Sequence, residues 1–343
     1  MGFTARCLAE PPAGWGELLA TDPGATCAHR PALWASFAAV LPGMSLRCVA
    51  VDEEGSLAGG MPVLVERRGG FHWLHALPFV LPGVPLARPG AHAAVDAAAA
   101  MALAALQREL RAVGGAWALY RPAGPPVAGE ALAVPTGETR QLEAAVVDLE
   151  GGLEAAWARV DRKTRAELRG ARARLTCREE PAALEAAHAL HVAQSRAWRA
   201  HRPLPLELSR RLLADAGDGR GPVARLFTAR RGSDLLCAVL VLDHPREAMP
   251  WWSGADPEAR RLHAFGLLLW SVVEWAHREG RARVNLGASA GLNPVAAFKD
   301  SLGARGLRYP VRWLDAAAAP AAGRLLAALQ RRVRARRLGG ESV

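Results

Sequence analysis

The stretch that decides the fold of this chain is Ala248–Ala304, AMPWWSGADPEARRLHAFGLLLWSVVEWAHREGRARVNLGASAGLNPVAAFKDSLGA. It predicts a short aromatic strand over Met249–Trp252, a long helix over Ala259–Glu279 and a second strand over Arg283–Gly287. A Gly/Ser-rich loop follows, and then a short helix that ends at Phe298-Lys299. A strand, a helix and a second strand in this order are typical of an α/β unit.

The long helix is predicted by one apolar stripe at three- and four-residue spacing. The positions of the stripe are Leu262, Phe265, Leu269, Val272 and Ala276. The acidic turn Asp256-Pro-Glu258 precedes the helix, and Gly280 is suited to end it. The sequence therefore predicts one uninterrupted helix packed on a sheet.

A weaker copy of this arrangement precedes residue 121. The hairpins expected over Arg47–Val65 and Arg225–Leu242 align with few gaps, and the helix expected over Ala91–Ala112 corresponds to Ala259–Glu279. The first 45 or so residues look like a helical lead-in. We therefore expect an α/β (α+β) chain of two similar halves, each a mixed, mostly antiparallel sheet flanked by helices.

Composition and charge limit the class of protein. The chain has 343 residues, is 51% apolar and carries a formal net charge of +10. It has neither a signal-peptide pattern nor an apolar run of about 18 residues, and its five scattered cysteines form no C-x-x-C pair. We expect a soluble, cytoplasmic protein with no DNA partner. The arginine excess reflects either a GC-rich genome or an anionic partner such as a nucleotide, tRNA, CoA or anionic lipid.

Two features of the stretch could bind or stabilise negative charge. The first turn of the long helix carries Arg260, Arg261, Leu262, His263 and Ala264. Backbone N–H groups at a helix start, with arginines beside them, can bind a pyrophosphate. Lys163 and Lys299 are the only lysines, and a lysine after a Gly/Ser loop can stabilise a developing oxyanion. Solvated arginines and a surface lysine are the simpler alternatives.

Two other motifs match known functional patterns but lack a feature that each of those functions requires. Gly287–Gly291 matches the G-x-S-x-G of a hydrolase, but Leu292-Asn293-Pro294 separates Ser289 from the next helix and no histidine follows it. Glu185, His188 and His191 share one helix face, but no second copy of the motif exists. We therefore expect neither a serine hydrolase nor a metal site.

The strongest basic run is the helical segment that begins at Arg162. Arg162, Arg165 and Arg169 share one face, and Lys163 lies four residues before Glu167. The segment is either a solvated helix face or an electrostatic surface for a nucleotide or tRNA.

Several of these motifs, in this order, resemble the FemAB-related, BioF2-like acyltransferases of the GNAT superfamily, whose members have a duplicated GNAT fold. The resemblance covers roughly residues 30 to 313. The resembling segments are His75–Phe79 with its Pro-Gly loop, Arg162–Arg174, Trp251–Ala255, Ala259–Trp270, Asn285–Ser289 and Phe298–Ala304.

The resemblance implies two tandem GNAT-like domains, residues 1–140 and 141–315, with the active site in the second and an Ala/Arg-rich tail over 316–343. It implies transfer of an acyl or aminoacyl group from acyl-CoA or aminoacyl-tRNA to an amine or hydroxyl of a cell-envelope or polysaccharide precursor. No permanently bound cofactor is expected. Contact with tRNA, peripheral contact with the membrane surface and the oligomeric state stay open. A non-catalytic binding module on the same fold and a basic RNA-binding protein are the alternatives.

The resemblance also implies roles for individual residues. Lys299 matches the lysine of the family's Phe-Lys motif and would stabilise the tetrahedral oxyanion. The pyrophosphate-binding turn corresponds to Arg260–Ala264, although Leu262-His263-Ala264 lacks the glycines of that turn. The substrate-binding candidates are Arg162, Arg165, Trp251, Trp252 and Ser289. No carboxylate is evident as general base.

Overall fold

The computed structural model describes residues 2–76, 81, 83–124, 139–197, 203–214, 220–289 and 292–314. The described chain divides into two compact units: unit 2 comprises Glu143–Leu307, and unit 1 comprises the residues up to Leu142 and those from Arg308 on. The limits 1–140 and 141–315 that the sequence resemblance implies for the two GNAT-like domains stay a proposal, separate from this division into compact units. The tail expected over 316–343 lies outside the described residues.

The strands are β1 (Phe3–Leu8), β2 (Met44–Glu53), β3 (Ser56–Arg68), β4 (Phe71–His75), β5 (Leu86–Ala87), β6 (Gly114–Ala118), β7 (Thr139–Asp148), β8 (Thr176–Glu179), β9 (Ala224–Arg231), β10 (Asp234–His244), β11 (Glu247–Ala255), β12 (Arg283–Ala288) and β13 (Arg305–Leu314). The helices are α1 (Trp15–Thr21), α2 (Pro31–Val40), α3 (His92–Glu109), α4 (Gly152–Arg159), α5 (Arg162–Arg172), α6 (Leu184–Ala197), α7 (Leu206–Leu213), α8 (Pro257–Arg261), α9 (Ala264–Arg278) and α10 (Asn293–Ser301).

The sheet of unit 1 has the order β1-β2-β3-β4-β6-β13, with β5 paired to β3. Its pairs are antiparallel except β4 and β6, which are parallel and are connected through α3. The helical lead-in was wrong for Phe3–Leu8, which forms an edge strand on β2. This strand has four exposed residues in a row, so it lacks the alternation that indicates a strand in sequence.

The sheet of unit 2 has the order β7-β12-β11-β10-β9-β8. Again one pair, β11 and β12, is parallel, and α9 connects its two strands. The other pairs are antiparallel. Both expected hairpins, β2–β3 and β9–β10, are confirmed. The mixed α/β fold expected from the sequence is therefore present in both units.

The long helix predicted over Ala259–Glu279 is in fact two helices, α8 and α9. The break lies at His263, whose φ of 53° is in the left-handed region. The apolar stripe runs on through Leu262, so spacing alone does not reveal the break. The stripe packs as predicted, because Leu269, Val272 and Ala276 are buried in the core of unit 2.

Candidate active site

A pocket of unit 2 begins where the parallel strands β11 and β12 separate. They pair only through Glu247 with Arg283 and Ala248 with Val284. Further along, a bulge in β11 shifts its register against β10 and leaves Trp251 as the extra residue. A pocket of about 1210 Å³ opens here. Its lining comes from strands β10, β11 and β12 and from helices α5, α6, α8, α9 and α10. We call it the transfer pocket, after the acyl transfer that the sequence resemblance implies.

Helix α6 reaches this transfer pocket because it packs very closely on β11. A Cβ on Gly254 would lie 2.3 Å from the backbone nitrogen of His191, so only glycine allows this approach. Ala193 and Gln194 of α6 line the pocket as a result. The side-chain Oε1 of Gln194 is buried and has no hydrogen-bond partner among the described residues. This oxygen can therefore accept a hydrogen bond from a ligand.

The start of α9 forms another part of the wall. Asp256 caps α8 by accepting a hydrogen bond of 2.8 Å from the Glu258 amide. At α9, by contrast, the side chain of His263 makes no cap. Phe265 and Gly266, in the first turn of α9, line the pocket. The first N–H groups of a 15-residue helix are thus left without a side-chain cap in the described part of the chain, and such groups attract anions.

The predicted cofactor-binding residues are not all at the pocket. Arg260 and His263 line it, whereas Arg261, Leu262 and Ala264 do not. Arg261 is exposed and pairs with Glu258 at 3.2 Å. The side chain of Arg260 is exposed and has no partner among the described residues, so its charge is free to meet a ligand.

A carboxylate that sequence analysis missed lies in the same pocket. Oε2 of Glu167 is 3.4 Å from Nδ1 of His263, and its Oε1 is 3.9 Å from the Lys163 ammonium. Both Glu167 and His263 line the pocket. The one signal in the sequence was the spacing of Lys163 and Glu167, and it indicated only a helix-surface pair. A carboxylate beside an imidazole orients it and can help it to take up a proton.

Lys299 extends from α10 towards the end of β12. Its Nζ donates hydrogen bonds of 3.0 Å to the carbonyls of Gly287 and of Ala288. Gly287 has a φ of 75°, a conformation that glycine adopts without strain, in the segment that presents these two carbonyls. Burial lowers the pKa of Lys299 to about 8. An ammonium has three N–H groups, so one remains for a ligand in the pocket that Lys299 lines.

The remaining substrate-binding candidates lie in different places. Trp251 and Trp252 line the transfer pocket. Trp252 is largely buried, donates a hydrogen bond of 3.2 Å to the Ser209 hydroxyl and lies against His191 with ring centroids 4.9 Å apart.

Ser289, the other candidate, lies in the turn after β12, where its carbonyl accepts a hydrogen bond from the Leu292 amide. It is outside the pocket lining. Ala290 and Gly291 of the G-x-S-x-G motif lie outside the described residues.

Arg162 and Arg165 are not brought together with Lys299. They line a second pocket of unit 2, of about 880 Å³, which also includes Trp157. Leu168 of α5 lines both pockets, so this helix separates them.

Neither a metal cluster nor a membrane span is found in the described part of the chain. It has no group of three His, Cys, Asp or Glu side chains that could hold a metal ion. His188 and His191 instead contact the carbonyls of Leu204 and Ser253, each at 2.7 Å. None of its helices is long and apolar enough to cross a membrane.

Comparison with known proteins identifies the domain that carries this pocket. Residues 155–300 match the model of the acetyltransferase (GNAT) domain family. This segment contains the whole of α5, α6, α8 and α9, with strands β8 to β12. No curated protein matches the chain in sequence.

Solved structures resemble the chain over nearly its whole length. FemX is 10% identical with a TM-score of 0.66, covering 89% of this chain and 96% of its own. The C-terminal domain of an Agrobacterium fabrum protein described as a lysylphosphatidylglycerol synthetase is 14% identical, with a TM-score of 0.59 and coverage of 93% and 94%. A tandem GNAT protein of clavulanic acid biosynthesis is 16% identical, with a TM-score of 0.54 and coverage of 92% and 99%. These likenesses show that the chain has a tandem GNAT fold.

Proposed function

We propose that this chain, whose residues 155–300 form a GNAT acetyltransferase domain within a FemAB-like tandem fold, is an acyltransferase that acts on an amine or hydroxyl of a cell-envelope or polysaccharide precursor. One observation carries the proposal. The pocket between the separated strands β11 and β12 holds a buried ammonium, that of Lys299, together with the open start of α9. A cation beside an anion-binding helix start is suited to acyl transfer from a phosphate-bearing donor.

In the proposed reaction the acceptor nitrogen or oxygen attacks the donor's carbonyl carbon. A new bond forms to that carbon, and the carbonyl π electrons move to oxygen, which becomes an oxyanion. The remaining N–H of Lys299 donates to this oxyanion. The oxyanion then re-forms the carbonyl and expels the thiolate of CoA or the ribose oxygen of tRNA.

We assign the proton transfers of this reaction to His263. The attacking group loses a proton to the imidazole, which Glu167 stabilises from 3.4 Å. The leaving thiolate or alkoxide then takes up a proton, so the protons balance. Both side chains line the same pocket as Lys299, which fits a shared task.

The GNAT fold uses acyl-CoA as a substrate and not as a resident cofactor, and we propose acyl-CoA as the first donor to test. Arg260 and the first amides of α9 would meet its phosphates, while Gln194 would accept a hydrogen bond from its amide N–H. Aminoacyl-tRNA is the second donor of the proposal. The likeness to a lysylphosphatidylglycerol synthetase supports an aminoacyl donor and a cell-envelope acceptor.

We also propose that the protein is located in the cytoplasm. Its five free cysteines favour this location, because thiols stay reduced there. Cell fractionation tests the proposal.

The experiment that tests this function is thermal unfolding of the full chain with acetyl-CoA, longer acyl-CoAs and aminoacyl-tRNA, followed by a transfer assay with the stabilising donor. A donor at 100 times its Kd should add about 2.7 kcal/mol to the free energy of unfolding. Arg260→Gln should weaken this stabilisation, whereas Arg174→Gln, a change at an exposed residue just beyond α5, should leave it unchanged. Absence of stabilisation by every donor would contradict the proposal, and donor binding without transfer would indicate a binding module.

A further inference from the structure

Helix α5 carries a stripe of four arginines on the side away from the transfer pocket. Arg162, Arg165, Arg169 and Arg172 are spaced by three, four and three residues and all line the second pocket. This spacing places them along one face, over about 15 Å of helix. We call this second pocket the arginine pocket; its floor contains Leu153, Leu168, Trp157 and Trp270.

Most of the positive charge of the arginine pocket is not neutralised within the described residues. Arg172 is the exception, because Glu274 accepts from it at 2.6 and 2.7 Å. Arg165 donates only to two backbone carbonyls, each at 3.3 Å. Arg162 has no side-chain partner in the described part of the chain, and its exposed guanidinium is free. Three cations therefore converge without a carboxylate of their own.

The aromatic floor is held in place by its neighbours. Trp157 packs on Trp270 with ring centroids 4.8 Å apart, and the guanidinium of Arg169 lies 5.8 Å from the Trp157 ring. Trp270 donates a hydrogen bond of 3.0 Å to Glu274. A rigid apolar surface beside free guanidinium groups is suited to a ligand with an anionic end and an organic body.

The charges favour a single phosphate group over a continuous polyanion. Glu154 and Glu274 line the same pocket as the arginines. They would repel a nucleic-acid backbone laid across the pocket but not one phosphate held near Arg162 and Arg169. Arginine also matches phosphate geometry better than lysine does, because its planar group can donate two parallel hydrogen bonds.

We propose that the arginine pocket is a second ligand site, separate from the transfer pocket, that binds a phosphate ester through Arg162, Arg165 and Arg169 with its organic part against Trp157 and Leu153. This proposal does not depend on the proposed acyltransferase activity, because it requires only that the arginine pocket binds a ligand. A soluble phosphate ester and an anionic phospholipid headgroup share this chemistry.

The test measures binding by the full chain to two probes: glycerol 3-phosphate by calorimetry, and vesicles of phosphatidylglycerol against phosphatidylcholine by flotation. We expect the double variant Arg162→Gln, Arg169→Gln to weaken binding to the effective probe by at least about a hundredfold, because two charge-assisted hydrogen bonds to the phosphate are lost. Binding of glycerol 3-phosphate alone identifies a soluble ester, and binding of anionic vesicles identifies a headgroup.

The matched control is Arg174→Gln, which removes one exposed positive charge just beyond α5 that does not line the pocket. It should bind as the parent does, and Arg162→Lys should retain part of the affinity. Equal loss in Arg174→Gln would indicate nonspecific charge attraction and overturn the site. Absence of binding to both probes, or preferred binding of an RNA oligonucleotide that the double variant leaves intact, would also overturn it. Lys299→Met should bind both probes normally, which separates this site from the transfer chemistry.

Discussion

The two units use the same strand–helix–strand arrangement in opposite ways. In unit 1 the parallel strands β4 and β6 pair over three positions, and backbone contacts to β6 then continue, with Gly83 N donating to Ala118 O at 3.0 Å. In unit 2 the parallel strands pair over two positions and then separate around the transfer pocket. In unit 1 the chain itself occupies the space beside the parallel strands, whereas in unit 2 this space is open to a ligand.

The surroundings of the two helix starts also differ, although neither α3 nor α9 has a side-chain cap among the described residues. At the start of α3 in unit 1, the buried carboxylate of Asp22 lies 3.4 Å from His92 and accepts the Gly24 and Ala87 amides at 2.7 and 2.8 Å. At the start of α9 in unit 2, Arg260 and His263 line the transfer pocket instead. A buried carboxylate of the protein thus lies beside the first helix start, whereas two basic side chains lie beside the second. The second start is therefore the one that is suited to an external anion.

We expect the largest effect from breaking a buried ion pair in unit 1. Asp96 and Arg121 form a buried ion pair with two hydrogen bonds, of 2.8 and 3.0 Å. Asp96→Asn should lower the free energy of unfolding by about 3–5 kcal/mol, because it leaves a buried guanidinium without its charge partner. Urea unfolding measures this.

The matched control is Arg172→Gln, which breaks an exposed pair with Glu274 and should cost less than about 1 kcal/mol. Equal stability of Asp96→Asn and the parent would mean that unit 1 is not held by its buried charges.

The next largest effect should come from replacing Lys299 in the transfer pocket of unit 2. Lys299→Met should lower kcat about 10²- to 10³-fold, because the donor to the oxyanion is lost. The folded state should lose only about 1–2 kcal/mol, because methionine fills a similar volume without a buried charge while the Gly287 and Ala288 carbonyls lose their donor. Measured transfer and urea unfolding of the same preparation separate the two effects. Transfer at the parental rate would remove Lys299 from the chemistry.

Removing the proposed proton acceptor should cost about 10²-fold in kcat. His263→Asn is the variant of choice, because asparagine tolerates the left-handed backbone at this break between α8 and α9. Glu167→Gln should cost less, because Glu167 acts only through the imidazole. A large loss in His263→Asn that a high pH does not reduce would argue for a structural role only.

Sequence reasoning succeeded where the determinants are local. Turn residues located both hairpins, and the repeat of strand, helix and strand predicted the duplicated fold. It failed where the answer depends on which side of an element faces which neighbour. Arg162 and Glu167 lie on one helix, five residues apart, yet line different pockets, and only the packing of α5 decides this. Gln194 gave no signal, because its importance comes from the close approach of α6 to Gly254.

The pH dependence of transfer should show a smaller effect. Burial lowers the pKa of Lys299 to about 8, so its proton leaves well below the ordinary value of 10.5. Because the protonated form is the donor, its contribution is complete below pH 8 and is lost above it, by about tenfold per pH unit. We expect the ratio of parental kcat to that of Lys299→Arg to fall over this range, since arginine stays protonated. A constant ratio from pH 7 to 10 would contradict this.

The smallest effect should come from Gln194, which contacts the ligand away from the reacting atoms in the proposed mode. Its buried Oε1 has no partner among the described residues, so the bound ligand would satisfy it. Gln194→Leu should raise the KM for the donor about 3- to 10-fold with little change in kcat, because a neutral hydrogen bond contributes about 0.5–1.5 kcal/mol. Ser195→Ala, at a buried neighbour outside the pocket lining, is the control for packing and should leave KM unchanged. A loss in kcat instead would place Gln194 at the reacting centre and so extend the open site of unit 2 onto α6.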